Sequence, residues 1–234
     1  MPLSLVAPLF DAKPASGEAS WAEIEAAETH HRVANSLTLV AGLLRMQASA
    51  LAKGGPKLSS NACAEILLEA AARIETVGRL HGGLAHTGGL RLAAVVRDAA
   101  EATVASLARP GQMRLRLKID EDCAAPSQLT LPIVLAVGEL VTNSIKYAHP
   151  AGVEGDIEVR CGRDAAGALE IAVSDDGVGL PEGFDPMVSS GLGLRLVRVL
   201  AQQMGAGLTF TNTELGLTVR LRLPRREEAA ETIP

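Results

Sequence analysis

Aromatic residues are scarce. Phe, Tyr and Trp make up 2% of the 234 residues, which argues against recognition by ring stacking and so against single-stranded nucleic acid as a ligand. Nor does positive charge dominate: Lys and Arg number 22 against 27 Asp and Glu, a formal net charge of −5. The basic residues are scattered, so the electrostatic footprint of a DNA- or RNA-binding surface is missing and no nucleic acid is expected as a partner. Cysteine is limited to Cys63, Cys123 and Cys161. Their odd number and wide spacing suggest neither a zinc site nor a disulfide framework, which fits a reducing cytoplasm. The apolar opening MPLSLVAPLF is too short to span a bilayer, lacks a basic flank and runs into the turn-forming DAKPASGEAS. Neither a signal peptide nor stable membrane insertion is expected, and the location expected is cytoplasmic.

Helix-forming sequence is abundant. After residues 1–19, expected to be a flexible N-terminal segment, the stretch from Trp21 to Ala52 contains no Pro and a single Gly, and predicts one long helix. Leu37, Val40, Leu44, Ala48 and Leu51 recur along it at three- and four-residue steps and line one face. KGGPK at 53–57 breaks it. A second helix is predicted from Ser60 to Leu84, with Ile66, Ala70, Ile74, Val77 and Leu84 at similar steps, before GGLAHTGG ends it. Two such arms form a hairpin with little interior of its own, so a homodimer closing a four-helix bundle is expected.

From residue 89 the character turns to mixed α and β. A helix (RLAAVVRDAAEATVASL), a strand (RLRLKID), a helix with Pro132 near its start (LTLPIVLAVGELVTNSIKYA) and two strands (DIEVRCG, ALEIAVSD) follow one another. A further helix (GLGLRLVRVLAQQM) and a closing strand pair (GLTFTN, LTVRLRLP) complete the order. One sheet backed by helices satisfies it, so the fold class expected is α+β: a helical hairpin over 20–88, then an α/β two-layer sandwich over 89–224. The charged tail 225–234 is expected to fray.

Three segments of the second half carry the residue types of a nucleotide site. In GELVTNSIKYA, Glu139, Asn143 and Lys146 follow at steps of four and three, on one helix face. There a carboxylate and an amide can orient Mg²⁺ and water beside phosphates while the ammonium neutralises charge; a solvated amphipathic face would read the same way. In SDDGVGLP, Asp175 closes a strand and Gly177 and Gly179 follow. The acid can accept a hydrogen bond from an exocyclic amine and the glycines let backbone pass close to a flat base, although a plain Asp-Gly turn has the same letters. In SSGLGLRLV, Gly191 and Gly193 open a helix whose N–H groups and positive end can face phosphate oxygens.

In order and spacing these segments resemble the N box, first glycine box and second glycine box of the GHKL ATPases, the superfamily of gyrase, Hsp90, histidine kinases and MutL. The resemblance covers roughly residues 89–224. It implies ATP and Mg²⁺ as ligands, Asn143 and Glu139 on the metal, Lys146 on phosphate, Asp175 reading the adenine amine, and a lid over 180–193. One departure stands out: these proteins usually carry Gly-Thr near the closing strand, whereas Gly216 is followed here by Leu217, with Thr218 one place off.

The first helix contains ETHHRVANSL, which resembles the H box of a histidine kinase class sister to the HWE kinases. Glu28, His30, His31, Arg32, Val33 and Asn35 agree, while Ala34 and Ser36 replace the usual Lys and second Asn. The resemblance implies His31 as phosphoacceptor, with His30 as fallback; a neutral imidazole is nucleophilic near pH 7. Glu28, three residues earlier, shares its helix face and could hold one ring nitrogen. Arg32 could contact a phosphoryl group, and Asn35 could position a water for dephosphorylation. His81, His86 and His149 receive no role.

Together these features predict a two-component histidine kinase that phosphorylates its own histidine from ATP and passes the group to an aspartate of a response regulator receiver domain. With only residues 1–19 ahead of the hairpin, signal input is expected from elsewhere. Two other readings stay open: a histidine phosphotransferase with a degenerate ATP domain, and an anti-sigma-type serine kinase or switch protein.

Overall fold

The computed structural model describes residues 33–42, 44–45, 48–49, 52, 59–87, 91–150, 153–188, 191–213 and 215–224. Among these, five helices and five strands follow in the order α1 (Val33–Gly42), α2 (Ser60–Thr87), α3 (Leu92–Leu107), β1 (Met113–Ile119), α4 (Ser127–Tyr147), β2 (Gly155–Arg163), β3 (Leu169–Asp175), α5 (Leu192–Met204), β4 (Gly207–Thr213) and β5 (Gly216–Leu223). The strands form one sheet in the order β1-β2-β3-β5-β4. β1 and β2 pair in parallel, with α4 as their crossover, and the remaining pairs are antiparallel.

Alternation along the strands decides which face the helices cover. Ile157, Val159 and Cys161 of β2, Ile171 and Val173 of β3, and Val219, Leu221 and Leu223 of β5 point into one core with Val96, Ile133, Val137, Val141, Val197 and Leu200 from α3, α4 and α5. Burying each such aliphatic side chain is worth about 1.5–3 kcal/mol. The opposite face is polar and laced with charge pairs, among them Arg116 to Asp156 and Lys118 to Glu158, both at 2.7 Å. The α/β two-layer sandwich is therefore as expected. Among the described residues α4 alone is long and apolar enough to cross a membrane, but 72% of that stretch is buried in the fold, as suits a core helix.

Three expectations need correction. The second helix continues through Gly82 and Gly83 to Thr87; glycine weakens a helix by about 1 kcal/mol but keeps the N–H that continues the ladder. Its apolar face is the one that the spacing suggested only in part: Val77 is buried and Ile66 and Ala70 are half-buried, but Ile74 is not. Val77 and Leu80 are buried together with the charged Arg73, while Leu67, Leu68 and Ile74 are exposed, and on α1 Val40 is buried but Leu37 is exposed. Arg73 takes an inward position because the Glu139 carboxylate meets it there. Finally, Cys123 and Cys161 are joined as a disulfide inside the core, Cys63 remaining free and exposed. Strand β2 and the loop after β1 bring the two sulfurs together, a neighbourhood that a separation of 38 residues does not reveal.

Candidate nucleotide site

The three motif segments converge at one end of the sheet. α4 presents Glu139 and Asn143 to the start of α5: a Cβ on Gly193 would lie 3.1 Å from Glu139 Oε2 and 3.2 Å from Asn143 Oδ1. A side chain there would need both oxygens to give way by a few tenths of an ångström, so glycine gives α5 its easiest approach. Asn143 Nδ2 is buried and has no hydrogen-bond partner within the described structure, an orphan that a bound polar ligand would satisfy. Gly191, by contrast, would have nothing within 4 Å of an added Cβ and takes an ordinary φ of −58°, so no steric need selects glycine there.

Asp175 is fixed from three directions. Ser144 Oγ donates to Oδ2 at 2.8 Å, and the Gly177 and Leu217 N–H groups donate to Oδ1 at 3.2 and 3.3 Å. A carboxylate offers about four lone-pair positions, so one acceptor position remains for a ligand amine. The glycines around it are dictated by contact. A Cβ on Gly177 would sit 2.3 Å from the Ala148 carbonyl oxygen, and one on Gly216, at φ +122°, would sit 2.0 Å from the Asp175 carbonyl oxygen. Leu217 thus supplies its N–H to Asp175, while the hydroxyl of Thr218 faces away and meets Ser174 Oγ at 3.0 Å. Thr218 does not stand in for the missing hydroxyl.

Gly179 adopts φ +69°. Asn212 of β4 clamps the next residue, accepting from the Leu180 N–H at 2.8 Å and donating to the Leu180 carbonyl at 3.0 Å. Arg198 of α5 reaches the Pro186 carbonyl at 2.5 Å. Beside the site, His149 and Asp176 pair at 2.8 Å. Burial pushes the Asp176 carboxyl up, but the Asp156 N–H and the His149 ring outweigh it and hold it below the usual range.

Sequence reasoning missed the partners of the N box. Arg73 of α2 donates Nε to Glu139 Oε1 at 2.5 Å and Nη2 to Oε2 at 3.0 Å. Glu69, one turn earlier, takes the Lys146 ammonium. Burial depresses Arg73, yet the Glu139 hydrogen bond and the charges of Glu139 and Glu69 raise it above its ordinary value. The signal in the sequence is an E-x-x-x-R step, Glu69 to Arg73, inside a helix read for its apolar residues. Asn35 lies exposed on α1; Glu28, His30, His31 and Arg32 lie outside the described residues.

Among the described residues no group of three or more His, Cys, Asp or Glu is gathered for a metal. Mg²⁺ takes few protein ligands and completes its shell from phosphates and water, so Asn143 fits it, whereas Glu139 as described gives both oxygens to Arg73.

A mixed sheet with helices on one face, an Asn-bearing core helix, an anchored Asp and contact-dictated glycines define a GHKL-type ATP-binding domain. Comparison with known proteins agrees. Residues 129–227 match the family of histidine kinase-, DNA gyrase B- and HSP90-like ATPases, and residues 28–107, which include His31, match a histidine kinase family. Over 210 residues the chain is 32% identical to the sensor histidine kinase PdtaS of Mycobacterium tuberculosis, covering 84% of this chain and 38% of that protein. Over 211 residues it is 27% identical to blue-light-activated histidine kinase 2 of Erythrobacter litoralis, covering 86% and 57%. A solved Erythrobacter litoralis blue-light-activated histidine kinase has a TM-score of 0.69 at 26% identity, over 91% of this chain and 63% of that one. The chain belongs to the sensor histidine kinases, related to the HWE kinases, and spans less than two thirds of the length of these curated relatives.

Proposed function

We propose that this chain is the kinase core of a cytoplasmic two-component system. Residues 20–88 serve as the dimerising, phosphoacceptor hairpin, and residues 89–224 bind ATP. The observation that carries the reading is the convergence of Asn143, with its orphaned amide, on the glycine-opened N-terminus of α5, across from the three-point anchored Asp175. Asp175 receives the adenine amine. The α5 N-terminus and Lys146 receive phosphate oxygens, and Asn143, with Glu139 once it is free of Arg73, holds the cation. Mg²⁺, when bound, neutralises phosphate charge.

The His31 imidazole nitrogen attacks the γ-phosphorus in line. A nitrogen–phosphorus bond forms, the bond from phosphorus to the β–γ bridging oxygen breaks, and ADP departs with that electron pair. Glu28 holds the other ring nitrogen and the proton there. The phosphoramidate then passes its phosphoryl group to a receiver-domain aspartate of a response regulator. Exposed Leu37, Leu67, Leu68 and Ile74 on the hairpin arms suit burial in a homodimer. Leu217 favours one second reading, a histidine phosphotransferase that no longer uses ATP, which nucleotide binding distinguishes.

Incubation with γ-labelled ATP and Mg²⁺ tests the reading. Acid-labile, base-stable label is expected on wild type and on His30→Ala, and none on His31→Ala or Asn143→Ala. Persistent label on His31→Ala would move the acceptor elsewhere, and absence of label on wild type despite ATP binding would favour the phosphotransferase.

A further inference from the structure

Glu139 and Lys146 stand two helical turns apart on α4, and each is met by a charge from α2. Arg73 donates twice to Glu139, and Glu69 takes the Lys146 ammonium. Glu69 and Arg73 are themselves 3.6 Å apart, so two acids and two bases are linked in one network across α2 and α4. Arg73 is 8% exposed and Glu139 5%. A buried charge stripped of its partner is strongly unfavourable, so a ligand that takes the place of α2 matches the site best when it brings a cation to Glu139 and an anion to Lys146. Magnesium-bound ATP has that polarity along one molecule.

We propose that Glu69 and Arg73 of α2 are an internal stand-in for magnesium-bound ATP, so that docking of α2 on α4 and loading of the nucleotide exclude each other. The inference rests on the nucleotide-site reading above. Its consequence is a link between occupancy and hairpin position: α2 is one arm of the hairpin that carries His31, and ATP releases that arm from the domain it must later face. Linkage makes the effect reciprocal, so removing the α2 charges tightens nucleotide binding by the factor that docking weakens it.

The full chain, spin-labelled at exposed Cys63 and at Glu101→Cys on α3, reports the α2–α3 separation by pulsed electron resonance. Saturating Mg²⁺ with a non-hydrolysable ATP analogue is expected to lengthen and broaden the distance distribution. In parallel, the Glu69→Gln/Arg73→Gln double variant is expected to bind a fluorescent ATP analogue with Mg²⁺ at least fivefold tighter than wild type. An unchanged distance at saturation overturns the proposal. So does equal or weaker binding by the double variant, which would make Arg73 a positioning residue for Glu139 instead. Asn143→Ala separates the two levels. Wild-type affinity in that variant sinks the nucleotide-site reading itself, whereas its loss of binding beside an untightened double variant sinks the gate alone.

Discussion

The two sides of the nucleotide site are held by different means. Around Asp175 the restraints are backbone: two N–H groups, and glycines pressed against the Ala148 and Asp175 carbonyls at separations no side chain tolerates. Around Glu139 and Lys146 the restraints are side-chain charges reaching over from another helix. Backbone packing of the first kind has one arrangement and stays put. Ion pairs of the second kind can be exchanged for another pair of matching signs. On the proposed reading the base-reading side is therefore rigid and the phosphate side exchangeable, which is where a kinase would need motion.

Substitutions break this comparison in a definite order. Gly216→Ala adds a left-handed strain and an overlap at 2.0 Å; we expect about 3–5 kcal/mol of destabilisation in thermal or urea unfolding. Gly191→Ala, with open space around its Cβ, should stay within about 1 kcal/mol of wild type. Asn143→Ala should keep its melting temperature and lose more than tenfold in ATP affinity, about 1.4 kcal/mol or more. Leu67→Glu with Ile74→Glu should turn a dimer into a monomer by sedimentation and leave nucleotide affinity within about twofold, a difference of about 0.4 kcal/mol.

The smallest expected effect is at Asp176. Its folded pKa is depressed, so its contribution to stability is complete above the unfolded value of about 3.9 and is lost as pH falls through the lower folded value. In His149→Ala the Asp176 carboxyl titration, followed by carbon NMR, should move back up toward about 3.9.

What the sequence revealed follows the same division. Glu139, Asn143 and Lys146 were legible because helix period alone puts them on one face, and Asp175 was legible because a strand ends there before two glycines. Gly216 was read only as a neighbour of the unusual Leu217, since its positive φ depends on how β5 meets β3. Arg73 escaped because apolar periodicity predicts what a helix buries among apolar residues, and a buried guanidinium follows from a partner 66 positions away. Asn212 and the Cys123–Cys161 pair were hidden for the same reason: each depends on a contact that only the folded sheet creates.

Calorimetric titration of ATP with Mg²⁺ into wild type, Asp175→Asn and Asn143→Ala tests the nucleotide site most directly. The account predicts one site per chain in wild type and loss of measurable heat in both variants with the fold intact. Binding of wild-type strength in both variants would contradict it.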